Sequence, residues 1–149
     1  MNKVNGGYMF KKILVGFDGS KGGRAALKRA ITLAKHYDAF LKVLWVRQPL
    51  PRYADLPGEP QGESEEANEY FQKLKSEVDE LAAQNFMKIE FEMRYGHPAK
   101  VIVNYAKEED FDLIVVGHSD HSELWGRLLG DTADRISDHA HCSVLIVKN

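Results

Sequence analysis

Apolar and polar positions change period several times along the chain, and each change marks an element. Lys12–Phe17 is a short apolar run closed by Asp18-Gly19-Ser20, which predicts a buried strand entering a turn. Leu27, Ala30, Ile31, Ala34 and Tyr37 then recur at helical spacing with Arg24, Lys28, Arg29 and Lys35 mostly between them, an amphipathic helix. Phe40–Val46 is a second apolar strand, interrupted only by Lys42. Arg47–Ser64 holds Pro49, Pro51, Pro57 and Pro60 with Gly58 and Gly62, a density that excludes helix and central strand and predicts a long surface loop. Ser64 suits a helix N-cap, with Glu65 and Glu66 where the helix dipole favours acids. Ala67, Tyr70, Phe71, Leu74, Val78, Leu81 and Ala82 mark the apolar face of that helix.

Further along, Ile89, Phe91, Met93 and Tyr95 alternate with Lys88, Glu90, Glu92 and Arg94, which predicts an edge strand with one wet face. Pro98 opens a helix carrying Val101, Ile102, Tyr105 and Ala106. Asp112–Val116 is a fourth strand ending at Gly117; a polar loop, a short helix from about Gly130 to His139 and the strand Ser143–Lys148 complete the pattern. The order βαβαβαβαβ predicts an α/β fold whose parallel sheet is covered by helices on both faces. Ligands of such sheets sit beyond the carboxyl ends of the strands, which here means the loops after the first and fourth.

Composition narrows this further. The 149 residues suit a single domain spanning 1–149. With 44% hydrophobic and 28% charged residues, disordered and fibrous classes are excluded. Twenty Lys and Arg against 22 Asp and Glu give a net charge of −2 without a basic stripe, so neither nucleic acid nor an anionic membrane is an expected partner. The lone Cys142 permits no internal disulfide and fits a reducing, cytoplasmic setting. No apolar run is long enough to span a bilayer, and Met1–Phe10 lacks the apolar core of a secretory signal. Met9, just ahead of the first strand, makes residues 1–8 an expected disordered leader.

Glycines allow close backbone approach to an anion, and a helix start offers unpaired N–H groups and partial positive charge. Gly117-His118-Ser119-Asp120 after the fourth strand and Gly130-Asp131-Thr132 at the last helix supply both. The same spacing also suits plain turn chemistry. Four stretches carry a more specific signal: Ile13–Ser20, Gly96-His97-Pro98-Ala99, Asp112–Gly117 and His139–Val147. Together they resemble the universal stress protein family from about residue 10 to the C-terminus. The resemblance implies a five-stranded sheet of order 3-2-1-4-5, a homodimer and a cytoplasmic stress-response role. It also implies ATP binding in many members through Gly-x-x-Gly and, after an interval, Gly followed by Ser or Thr.

Carried over by position, Gly117 matches the first glycine and Gly130 the last, with Thr132 keeping a hydroxyl one place late. Asp18 matches the acid beside the nucleotide, and Val46 the backbone position that reads adenine. Two positions depart: Asp120 stands where the second glycine belongs and Asp131 where the hydroxyl belongs. A carboxylate about 4 Å from a phosphate charge costs about 1 kcal/mol in water-like surroundings and about 4 kcal/mol at an effective dielectric near 20. A Mg²⁺ bridging either acid to the phosphates would reverse the sign.

The remaining features have plainer readings. His118, His121, His139 and His141 match no zinc spacing, so no metal site is assigned, and His139 complements a helix dipole. Cys142 is expected to be an inert buried thiol, and Trp125 to tether its loop to the core. The last strand, through Val144, Leu145, Ile146 and Val147, lies at a predicted sheet edge that invites pairing with a second copy. Arg127 is the one cation of the phosphate loop, and the motifs of hydrolases and P-loops are absent, so no catalytic residue is assigned. The expectation is a non-enzymatic dimeric regulatory domain that senses an adenine nucleotide and acts on a protein partner. The alternatives are a nucleotide-independent interaction module and, behind it, a slow Mg²⁺-dependent ATP hydrolase.

Overall fold

A computed structural model describes residues 9–48, 65–118 and 131–148. Nine elements alternate in this part of the chain: β1 (Lys12–Gly16), α1 (Lys21–Tyr37), β2 (Phe40–Arg47), α2 (Glu65–Gln84), β3 (Ile89–Tyr95), α3 (Pro98–Glu108), β4 (Leu113–Gly117), α4 (Asp131–His139) and β5 (Ser143–Val147). All strand pairs are parallel and the sheet order is β3-β2-β1-β4-β5. The expected topology and element order are both observed, with boundaries moved by a residue or so. Ser64, most of the proline-rich stretch, Ser119, Asp120, His121, Trp125, Arg127 and Gly130 lie outside the described residues.

The central strands explain why the apolar runs are continuous. Ile13, Leu14 and Val15 are fully buried because β1 has a helical layer on each side. Ile13, Val15, Leu41, Val43, Trp45, Leu113 and Val115 pack with Ala26, Leu27, Ala30, Ile31 and Ala34 of α1 and Leu74 and Val78 of α2. On the opposite face Leu14, Leu44, Val46, Ile114 and Val116 meet Ile102, Tyr105 and Ala106 of α3 and Ala133 and Ile136 of α4. Ser20 caps α1, its hydroxyl accepting from the Gly23 N–H at 3.1 Å. At the other end of the last helix, His139 Nδ1 donates to the Arg135 carbonyl at 3.0 Å. Among the described residues, no helix is long and apolar enough to cross a membrane.

Two helices on each face cannot cover five strands, and the two sheet corners left thinly covered are chemically unlike. Along β5 the α1 face is closed only at Val147; Leu145 remains 37% exposed. On β3 the open face carries charge, and it is less wet than the alternating pattern predicts. Glu90 and Glu92 are half-buried. Lys42 of β2 reaches Glu92 at 2.8 Å and Glu90 at 3.6 Å, so the one charge that interrupted the β2 pattern has its partners on the next strand. Glu92 also receives Arg94 and the Tyr105 hydroxyl, the latter at 3.0 Å, and the Arg94 guanidinium lies 4.8 Å from the Tyr105 ring centre.

Burial alone would raise the Glu92 carboxyl, but hydrogen bonds from Lys42, Arg94 and Tyr105 outweigh it and hold the group at about 2, below its ordinary 4.5. A depressed carboxyl contributes stability that is complete above the unfolded value and is lost as pH falls through the folded one. Glu92→Gln should therefore cost about 1–2 kcal/mol near neutral pH, after allowance for partial solvent screening. Denaturant titrations should show that difference shrinking between pH 4.5 and 2. A difference constant over that window would refute the assignment.

Candidate functional site

Beyond the carboxyl ends of β1, β2 and β4 the sequence-predicted residues come together from separate elements. After β1, buried Phe17 anchors the chain, and its N–H donates to the Leu44 carbonyl at 3.0 Å. Asp18 follows, exposed, and its Oδ1 accepts the Ser20 N–H at 2.9 Å. That Asx turn uses Oδ1 of an exposed carboxylate, whose second oxygen is also an acceptor. Gly19 has φ of +85°, a conformation that suits glycine. The chain then enters α1 through the Ser20 cap.

Val46 contributes its backbone. The β1–β2 register ends at Gly16 opposite Leu44, while β2 continues to Arg47. The Leu44 carbonyl faces β1, where it accepts from Phe17, and the Arg47 carbonyl faces β3, where it accepts from Gly96 at 3.0 Å. Strand alternation therefore turns the N–H and C=O of Val46 toward the β1 side, past the point where β1 has ended. Its side chain is buried on the opposite-face core with Leu44 and Ile102. Such a position presents one donor and one acceptor at fixed spacing, which is what an adenine edge needs.

Gly117 closes β4, and its size is required within the protein itself. A Cβ there would collide with the Gly22 carbonyl oxygen and lie 3.0 Å from Gly22 Cα. A Cβ on Gly22 would in turn lie 2.8 Å from the His118 carbonyl oxygen. The first turn of α1 thus rests main chain against main chain on the end of β4. His118 continues toward β5, donating its N–H to the Val147 carbonyl at 2.8 Å. Across the cleft α4 begins at Asp131, with Thr132 half-buried as its second residue. Gly130 and Asp120 lie outside the described residues.

Several contributors carried no legible signal in the sequence. Tyr70, read as part of the apolar face of α2, donates its hydroxyl to the Asp18 carbonyl at 2.5 Å and sets its ring edge-on to Trp45 at 5.2 Å. Arg24 places Nε and Nη2 on the two carboxylate oxygens of Glu77, at 2.5 and 2.9 Å, and Nη1 on the Gly19 carbonyl. The Arg24 hydrogen bond holds the Glu77 carboxyl below its usual range despite partial burial. The Arg24–Glu77 and Tyr70–Asp18 contacts join positions more than 50 residues apart, so no local spacing announces them. Cys142, half-buried beside the α3–α4 core, has its thiol pushed up by burial and then by the charge of Asp112. Among the described residues no group of three or more His, Cys, Asp or Glu is placed to hold a metal ion.

A doubly wound parallel sheet of this strand order, with helices on both faces, is the Rossmann-like α/β class. The chain belongs to the universal stress protein family, whose sequence model matches residues 9–148. It is 38% identical over 146 residues to a universal stress protein of Methanocaldococcus jannaschii, covering 97% of this chain and 85% of that one. It is 34% identical over 148 residues to the universal stress protein YxiE of Bacillus subtilis, covering 94% and 100%. Among solved structures, the universal stress protein UspA of Lactobacillus plantarum matches with a TM-score of 0.75 at 26% identity, over 93% of this chain and 97% of that one. A universal stress protein crystallised in complex with cAMP matches with a TM-score of 0.72 at 27% identity and the same coverage.

The Gly22–Gly117 contact generates its own expectation. Because the obstructing atoms are backbone, Gly117→Ala cannot be absorbed by a rotamer change. It should destabilise the chain by about 1–3 kcal/mol, the range for overpacking. Thermal or denaturant unfolding in the absence of any nucleotide checks this, and an unchanged midpoint would show that α1 can shift away.

Proposed function

We propose that this chain is a single regulatory domain that binds an adenine nucleotide in the carboxyl-edge cleft, without turning it over, and works as a homodimer. The observation that carries the reading is the turn of Val46's main-chain groups into the space past β1, alongside the second carboxylate oxygen of Asp18. The first fits the adenine edge and the second a ribose hydroxyl. Gly117 at the end of β4 and Thr132 in the first turn of α4, with Gly130 as the sequence motif's last glycine, would then take the phosphate end. The related protein crystallised with cAMP supports an adenine nucleotide as the ligand class.

Asp131 opens α4, at the end of the cleft assigned to phosphate. By the resemblance, Asp120 and Asp131 hold motif positions at this end, where a carboxylate would disfavour negative charge by a penalty that grows with each phosphate group. A nucleotide with one phosphate therefore suits the cleft better than metal-free ATP. Arg24 is committed to Glu77 and Gly19, which is why binding rather than hydrolysis is inferred. One pair of observations favours the nucleotide-independent reading: Ser20 already satisfies Asp18 Oδ1, and Gly22 already explains Gly117.

Calorimetry with cAMP, AMP and ATP, with and without Mg²⁺, separates the two. We expect binding of cAMP or AMP, weaker binding of metal-free ATP, and no multiple turnovers. Failure of every nucleotide to bind would reject the sensor and leave the interaction module.

The dimer reading rests on the contrast between the two sheet edges. β3 is lined by Lys42, Glu90, Glu92 and Arg94, the kind of charge that blocks edge pairing, whereas Val144, Leu145, Ile146 and Val147 offer an apolar edge at β5. The wild type should be dimeric by light scattering, and Leu145→Lys should shift it to monomer. A wild-type monomer, or a Leu145→Lys dimer of unchanged affinity, would reject this edge.

A further inference from the structure

The Asp18-Gly19-Ser20 turn is held from outside its own strand and helix. Its two consecutive carbonyls are both tied to α2, which begins 47 positions after Asp18. The Asp18 carbonyl accepts directly from the Tyr70 hydroxyl at 2.5 Å. The Gly19 carbonyl accepts from Arg24, whose guanidinium is itself forked onto Glu77. Since Asp18 Oδ1 is bound to the Ser20 N–H within the same turn, the orientation of these peptides sets the direction of the carboxylate.

Tyr70 is built for this contact. Its ring lies edge-on to Trp45, a core residue only 7% exposed, so the hydroxyl is aimed by packing. A Cβ on Gly19 would collide with that hydroxyl and lie 3.0 Å from Leu74 Cδ2, so the turn is shaped to receive it. Tyr70 is nonetheless 36% exposed, beside the cleft. Phenylalanine would supply the same ring against Trp45; the hydroxyl adds only the bond to Asp18. Partial burial and then the Asp18 charge raise the Tyr70 phenol, which keeps it a donor near neutral pH.

We propose that Tyr70 is a positioning residue for Asp18, and that it couples occupancy of the cleft to order in the first turns of α2. The coupling rests on the reading of the cleft as an adenine-nucleotide site; the positioning does not. A ligand that gains from a fixed Asp18 carboxylate stabilises the Tyr70–Asp18 bond. By linkage, order in α2 then raises affinity for the ligand. The start of α2, which follows the proline-rich stretch in the chain, would thereby report whether the cleft is filled.

Amide hydrogen exchange on the full chain tests both halves, comparing wild type with Tyr70→Phe, with and without cAMP. The ring is retained, so the unfolding midpoint should stay close to wild type. In the ligand-free variant, exchange over residues 18–24 should accelerate by roughly three- to tenfold, the worth of one hydrogen bond. In the wild type cAMP should slow exchange over both 18–24 and 65–72. In Tyr70→Phe the slowing should be confined to 18–24, with cAMP affinity lower by roughly three- to tenfold. Unchanged ligand-free exchange at 18–24 would overturn the positioning role whatever the nucleotide does. Protection of 65–72 that persists in Tyr70→Phe would overturn the coupling. If wild type binds no nucleotide, the cleft reading and the coupling fail together, while the ligand-free comparison still decides the positioning role.

Discussion

The approach of Gly22 to Gly117 is the contact on which the carboxyl edge depends. It sets main chain against main chain, so neither side carries a flexible end that can move aside. The contact fixes how far the first turn of α1 stands from β4, and with it where the Ser20 cap and the turn before it hang. On the other side of the same junction, His118 is bonded to the end of β5. The turn, the helix start and two strand ends therefore share one origin. The paired glycines are needed for that geometry whether or not a ligand is present.

The covering of the sheet follows from its topology. Right-handed crossovers place α1 and α2 on one face and α3 and α4 on the other, offset, so each face leaves one outer strand thinly covered. At β3 the open corner is closed electrostatically: a lysine from β2 and an arginine of β3 itself converge on Glu92 against the ring of Tyr105. At β5 no such charges exist among the described residues, and Leu145 is left half open. The two edges of one sheet have thus been given opposite surface chemistry. Charge along an exposed strand edge opposes pairing with another strand, whereas an apolar edge does not.

Around the cleft, the available polar groups are mostly backbone. Val46 turns its N–H and C=O to the β1 side, while the carbonyls of Asp18 and Gly19 already accept from Tyr70 and Arg24. Backbone groups do not depend on side-chain identity, which is why relatives sharing 26–38% of their residues can share this framework. The sequence adds Asp120 and Asp131 at two positions where the family resemblance leads one to expect a glycine and a hydroxyl.

Element order and the wrapping of the sheet on both faces were legible in the sequence, and the carboxyl edge follows from them as the place to look for a ligand. Each rests on short-range periodicity: buried runs on β1 and β4, helical spacing on α1 and α2, alternation on β3. Asp18, Val46 and Gly117 were singled out by resemblance, since the segments that carry them are local. Lys42 looked like a blemish in a strand, and Tyr70 like one more apolar position on a helix. Their partners, Glu92 and the Asp18 carbonyl, lie on other elements, so only the tertiary structure could assign them. Sequence patterns record which face of an element is buried, because burial repeats with the element's own period. A polar contact across elements has no period, and the packing of the sheet and its helices decides it.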